Sequence, residues 1–364
     1  MSPRTRKILG RLGWSALALL VVLAVFTGDL LRHGGQFRAL PPPTPLACET
    51  IALPGSAEDI QIDRASGLAY LSVLDRRGRM TDRGIEGDIL QLDAAALDAP
   101  GAPAPAALSA LAAKPPGFVP HGLSLHRMGD GKLRMSVISH PPDGGHRIEI
   151  FEQRADGLFT PVRSVRDPLF VSPNALVVTG PEQFYVANDS GAANGLQRAA
   201  ELGLRHGLST LVHFDGKAAR VVAGGLASAV GLGMSPDGRH LYAAETLGKR
   251  LVVYRRDAGT AALDRIAEIP VEGAPDNVNV DGRGTVWLGV HGRTLDLVRH
   301  FGDAAHPSPT WILRWTPQIP GATPQTVFLD DGRRLSAGSV GAALKGRLLV
   351  GSITEPKMLS CRLP

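Results

Sequence analysis

From residue 48 onward the chain repeats one pattern six times: an apolar, alternating strand of about six residues, a turn, and a second strand. The first strands read GLAYLSV (67–73), KLRMSVISH (132–140), QFYVAND (183–189), RHLYAAE (239–245), TVWLGV (285–290) and RLLVGSI (347–353). Their partners read DILQLD (88–93), HRIEIFEQ (146–153), STLVHFD (209–215), RLVVYRR (250–256), WILRWT (311–316) and KMLSCRL (357–363). Turns such as SPDGR (235–239) and VDGRG (280–284) separate them. A repeat of roughly 45–65 residues is the spacing of four-stranded propeller blades. The pattern predicts an all-β chain folded as a six-bladed β-propeller, with two packed sandwiches as the alternative. Residues 94–115, rich in Ala and Pro, and residues 190–207, with room for a short helix, break the pattern and read as loops decorating one face.

The N-terminus follows different rules. Basic residues (Arg4, Arg6, Lys7, Arg11) precede an uncharged run from Leu12 to Gly28. The run approaches the length of a spanning helix, and the basic flank keeps its own side cytoplasmic. No clear cleavage site follows, so residues 1–33 read as a signal anchor and everything beyond Asp29 as exported, or secreted if the segment is cleaved. Residues 34–47, with RALPPPTPL, read as a Pro-rich stalk and spacer, and 48–364 as the propeller. The only two cysteines, Cys48 and Cys361, bracket that domain. In an exported protein this placement suits a ring-closing disulfide, against two buried thiols as the alternative. The net charge of +5 sits partly in the basic flank, and no Lys/Arg cluster interleaved with aromatics follows, so a nucleic-acid partner is excluded.

Ahead of each first strand lies a further short segment: AEDIQID (57–63), PHGLSLH (120–126), SPNALVV (172–178), AVGLGMS (229–235), PDNVNV (275–280) and SAGSVGA (336–342). As the innermost strands of a propeller these line the central channel, and equivalent positions meet around the axis. Glu58, Asp59, His121, Asn174, Asp276 and Asn277 are thereby brought together. Singly, such residues are common turn formers. Converged, two carboxylates and amide carbonyls make an adjustable oxygen cage that suits calcium better than zinc. Without a cation, Glu58 and Asp276 would repel each other. His121 would sit beside the ion as a general base, with His140 and His291 ending strands on the same face. No G-x-S-x-G elbow, phosphate loop or dinucleotide fingerprint competes with this reading.

At these segments the chain resembles the serum paraoxonase/arylesterase family. The resemblance is carried by Cys48, AEDI with Glu58 and Asp59, PHGLS with His121, SHP with His140, NALVVTGPEQFYVANDS from Asn174, SPDGRHLYAAE, DNVNVD from Asp276, WLGVH ending at His291, and the tail through Cys361. It implies a catalytic calcium bound by Glu58, Asn174, Asp276 and Asn277, His121 assisted by His140 as the base, His291 in contact with substrate, and a Cys48–Cys361 disulfide. The family's second, structural calcium maps to Asp59 and Leu123. Two positions depart from the family. Val230 and Gly233 stand where Asn is expected, one of them a calcium ligand, and Ala175 replaces the Asp that partners Asp59. The expected activity is calcium-dependent hydrolysis of lactones or aryl esters. A non-catalytic propeller with a structural ion, or a sugar-lactonase-type enzyme, is the alternative. Substrate specificity would reside in loops 74–87, 190–207 and 291–308.

Overall fold

Strands that alternate cleanly bury one face, whereas runs such as LAYLSVL (Leu68–Leu74) and RLLVGS (Arg347–Ser352) are buried almost throughout. Such strands need apolar partners on both sides. A computed structural model shows what supplies them: six four-stranded antiparallel sheets stacked face to face around an axis. It describes residues 3–94, 96–98 and 107–364, with the backbone alone for 3–13 and Asp98. Much of the 94–115 insertion and the side chains of the basic flank thus lie outside the described residues.

The innermost strands are Ser56–Asp63, Pro120–Arg127, Pro173–Val178, Ala229–Met234, Ala274–Val280 and Gly338–Leu344. Each contacts the innermost strand of the next sheet, and the last returns to the first, which closes a six-bladed propeller. The outermost strands, such as Leu263–Pro270, have no sheet beyond them and return to alternating exposure. The six segments read from sequence as channel strands are these strands. The alternative of two sandwiches is excluded.

Ring closure mixes the two ends of the chain. The sixth sheet takes three strands from the C-terminus and its outer strand, Cys48–Ala52, from the N-terminus. Cys48 and Cys361 are directly opposite across that pair, joined by a disulfide that closes a span of 313 residues. Both ends of the ring are therefore held by one covalent bond and one short strand.

The helix Pro3–His33 leaves from the end of the propeller that carries the connections between second and third strands. His33 hydrogen-bonds the Leu247 carbonyl at 2.8 Å, Asp29 pairs with Arg205 at 2.7 Å, and the Thr294 amide donates to the Gly34 carbonyl at 2.9 Å. Its segment Trp14–His33 is long and apolar enough to cross a membrane and is not buried in the protein. Helix Gly195–Leu204 lies in the 190–207 stretch and helix Thr294–Gly302 in the 291–308 loop, both between the second and third strands of their blades. The Pro-rich stretch 34–47 does not stand off as a spacer but runs along the propeller wall. Prolines lack amide donors yet keep carbonyl acceptors. Arg334 donates to the carbonyls of Thr44 and Leu46, Arg293 donates to that of Arg38, and Leu40 packs on the cluster containing Trp311.

Opening the ring should be costly, because the disulfide spans the whole domain. Cys361→Ser is expected to lower stability by about 2–5 kcal/mol, read as a lower denaturation midpoint in non-reducing guanidinium titrations, and the parent protein should reproduce the loss under reduction.

Candidate active site

Every innermost strand slips its register against its neighbour at the same height. The slips fall between Ala57 and Asp59, Pro120 and Leu123, Pro173 and Ala175, Ala229 and Gly231, Pro275 and Val278, and Gly338 and Val340. A bulge leaves its extra residue out of the ladder and re-aims the side chain. The residues passed over are Glu58, His121 with Gly122, Asn174, Val230, Asp276 with Asn277, and Ser339. Every residue expected to hold the catalytic ion, and the expected base, is a bulge residue.

Close approach at this level depends on glycine. A Cβ on Gly231 would lie 2.2 Å from the Asp276 carbonyl oxygen, and one on Gly122 would lie 2.6 Å from that of Asn174. With only hydrogen there, the neighbouring bulge can come in against the strand.

Polar contacts knit the ring. Asn277 Nδ2 donates to Glu58 Oε1 at 2.8 Å and to the Glu58 carbonyl at 3.0 Å, and Ser339 Oγ donates to the same carbonyl at 2.7 Å. Glu58 Oε2 lies 3.5 Å from His121 Nε2. Behind it, His121 Nδ1 is 3.0 Å from His140 Nε2. His291 is buried, its Nε2 2.9 Å from Asp276 Oδ2, so its polar contact is with a ring carboxylate. The Arg76 guanidinium donates to the carbonyls of Ser56 and Pro120 at 3.0 and 3.3 Å and acts electrostatically on Glu58, Asp276 and Asp59.

These surroundings set the charges. Burial alone would raise Glu58, but His121, Arg76 and the Asn277 amide outweigh it and bring the carboxyl down to about 2. Asp276 is raised by burial and by the charge of Glu58, against the pull of His291. Burial opposes the His121 cation, yet Glu58 prevails and raises it, whereas burial and the neighbouring imidazoles push His140 well below its ordinary value. Asp59 is pushed up to about 7 by burial and by Glu58.

Asp59 and Leu123 do meet, but through a hydrogen bond from the Leu123 amide to Asp59 Oδ2 at 2.8 Å, while the Ile60 amide takes Oδ1 at 2.8 Å. Backbone donors thus occupy both oxygens, and buried Ala175 offers none beside them. Val230, one of the two positions where Asn was expected, packs into the apolar cluster with Tyr242 and Val278.

Among the described residues no three His, Cys, Asp or Glu side chains form a metal cluster. The oxygens here come from two carboxylates and two amides. Glu58 Oε2 and Asn174 Oδ1 are buried without a hydrogen-bond donor among the described residues. Leaving an acceptor so costs about 1–3 kcal/mol. Hard, unpartnered oxygens with net negative charge fit a calcium ion.

Comparison with known proteins follows the same lines. Residues 109–363 match the arylesterase family. The chain belongs to that family. It is 31% identical to rat serum paraoxonase/arylesterase 1 over 250 residues, 68% of this chain and 69% of that one. It is 30% identical to the human protein of that name over 249 residues, again 68% and 69%. Among solved structures, a luciferin-regenerating enzyme superposes with a TM-score of 0.56 at 14% identity, over 87% of this chain and 95% of that one. A putative gluconolactonase does so with 0.50 at 13%, over 88% and 93%. At such identities these two show the propeller fold alone. The arylesterase match includes His121, His140, Asn174, Asp276 and Asn277; Glu58 precedes it and joins them through the fold.

Three residues of the site escaped sequence reasoning. Ser339 is a bulge residue in a segment of small side chains, and Arg76 is one of four arginines in RRGR and the turn after it, with nothing to single it out. His146 opens a strand after a Gly-Gly turn, yet its Nδ1 lies 2.8 Å from His140 Nδ1. A third histidine six positions beyond His140 was the one available signal.

If the ring depends on close approach at glycine, Gly231→Ala should displace Asp276. We expect a stability loss of about 1–3 kcal/mol by thermal unfolding.

Proposed function

We propose that this chain is a calcium-dependent hydrolase of lactones and aryl esters, with the ring of bulges as its active site. The observation that carries the reading is the pairing of two buried, donor-less oxygens, on Glu58 and Asn174, with an imidazole at Glu58. Membership of the arylesterase family supports it.

Glu58, Asn174, Asp276 and Asn277 would hold the ion. When bound, calcium supplies a Lewis acid for the scissile carbonyl and its oxyanion, and neutralises the carboxylate charge. The protein's own residues do the remaining work. His121 Nε2 faces the ring and takes a proton from the attacking water. His140, held neutral by burial, accepts or returns a hydrogen bond at His121 Nδ1 and fixes the ring's orientation. Ser339 and Asn277 lock Glu58, His291 orients Asp276, and Arg76 keeps the local negative charge in check. Val230 contributes no oxygen, so fewer protein ligands surround the ion than in the family pattern.

Small-molecule esters are the expected partners. The disulfide and the apolar Trp14–His33 segment support an extracytoplasmic propeller tethered to a membrane at the helix end. A second reading, a propeller whose ion is structural, is favoured by Val230 and Ala175.

Two measurements separate the readings. His121→Gln should lower turnover of phenyl acetate and of a δ-lactone by about 10²–10⁴-fold with the thermal midpoint unchanged; undiminished turnover would remove His121 as the base. Chelation should abolish turnover and lower the melting temperature, with both restored by added calcium. Inactivity of the calcium-loaded protein on a broad ester and lactone panel would favour the structural-ion reading.

A further inference from the structure

At the end of the propeller opposite the ring, a cavity of about 610 Å³ opens between the fifth and sixth blades. The innermost strands begin at the ring and finish at this end, so the turns that follow them build the cavity. Arg283 lies in the turn after Val280, Lys345 in the turn after Leu344, and Arg64 just past Asp63 in the first blade. Arg314, from the third strand of the fifth blade, is the fourth cation of the lining.

These four cations share the hollow with one acidic side chain, Asp281, which forms no ion pair with them. Its Oδ1 accepts from the Arg283 and Thr285 amides at 2.8 and 3.0 Å, and its Oδ2 from Trp287 Nε1 at 3.3 Å. The side chains of Arg283, Arg314 and Lys345 have no hydrogen-bond or ionic partner among the described residues. Half-buried Arg64 donates only to carbonyls, that of Ala343 at 3.0 Å and that of Val280 at 3.4 Å. Elsewhere arginines face acids: Arg134 pairs with Glu152, Arg250 with Glu245 and Arg334 with Asp330. Here the counter-charge is missing. A cleft lined by one sign of charge concentrates ions of the other.

The remaining wall decides what kind of anion fits. Leu46, Val327, Leu344 and Leu363 present apolar surface beside the indole of Trp287. A bare inorganic ion would leave that surface in water, whereas a ligand with an apolar body covers it. We infer that this cavity is a second binding site, one that takes a soluble organic oxyanion with an aromatic or aliphatic body. The source is solution, because the helix Pro3–His33 makes its contacts at the ring's end and a membrane it crossed would lie on the far side. The site is also separate from the hydrolytic one. Arg64 follows Glu58 by six residues, about 20 Å along an extended strand.

The test is calorimetric titration of the full, calcium-loaded chain in nonionic detergent with 2-naphthoate and 2-naphthalenesulfonate. Neutral 2-naphthamide and inorganic phosphate serve as the body without the charge and the charge without the body. Both aromatic anions should bind, and both half-probes at least about tenfold more weakly. Because Arg283 and Arg314 are exposed and their side chains unpartnered, the double variant Arg283→Ala with Arg314→Ala should keep the parent's melting temperature. Its Kd for 2-naphthoate should rise at least about tenfold, as expected on losing charge-assisted contacts. His121→Gln, at the other end, should bind 2-naphthoate like the parent. No binding of either aromatic anion at millimolar concentration overturns the inference, as does a Kd that the double variant leaves unchanged. Naphthamide or inorganic phosphate binding as tightly as 2-naphthoate would equally overturn the ligand class.

Discussion

Six strands packed around an axis have no reason of their own to place oxygens in its centre; a regular ladder would send alternate side chains into the blade interfaces. What changes this is a register slip repeated at one height in all six innermost strands. Each slip removes one or two residues from pairing and frees their side chains from the alternation. The stacking that tolerates six adjacent irregularities relies on residues without a Cβ, such as Gly231 and Gly122, where the next strand's carbonyl comes within reach. The disulfide and the short strand Cys48–Ala52 keep the ring from relaxing outward. Scaffold and site are therefore one constraint viewed at two scales.

Within the ring, charge is distributed so that no carboxylate is left alone. Glu58 sits among His121, Arg76 and Asn277, while Asp276 has His291. Asp59, next in sequence, is spent on backbone amides instead. Two neighbouring acids on one strand thus take opposite fates, because Glu58 is itself the bulge residue while Asp59 stays in the ladder opposite Ser72. Val230, one of the two positions where Asn was expected, has joined the apolar packing between blades.

The blades were legible in the sequence because sheet packing on both faces demands apolar runs such as LAYLSVL and RLLVGS, and those runs recur. The channel segments were legible because Glu-Asp, Pro-His-Gly, Pro-Asn and Asp-Asn recur at matching places ahead of them. Cys48 and Cys361 announced closure by position alone. The closing strand itself was not readable, being five residues with an exposed face. Residues 34–47 looked like a free spacer because prolines cannot donate, yet their carbonyls can accept from Arg334 and Arg293, which lie far along the chain. Arg76 and His146 were hidden for a similar reason: nothing local distinguishes them from surface arginines or a turn histidine, and only the fold sets them beside Glu58 and His140.

The claim on which the account turns is that oxygens from the first, third and fifth blades form one site for a hard cation. Calorimetric titration of the metal-free protein with calcium addresses it directly. The account predicts a single calcium per chain, with binding abolished or weakened at least about tenfold by Glu58→Gln and unaffected by Glu182→Gln in the turn between Val178 and Phe184. No calcium uptake, or uptake that Glu58→Gln leaves unchanged, would contradict it.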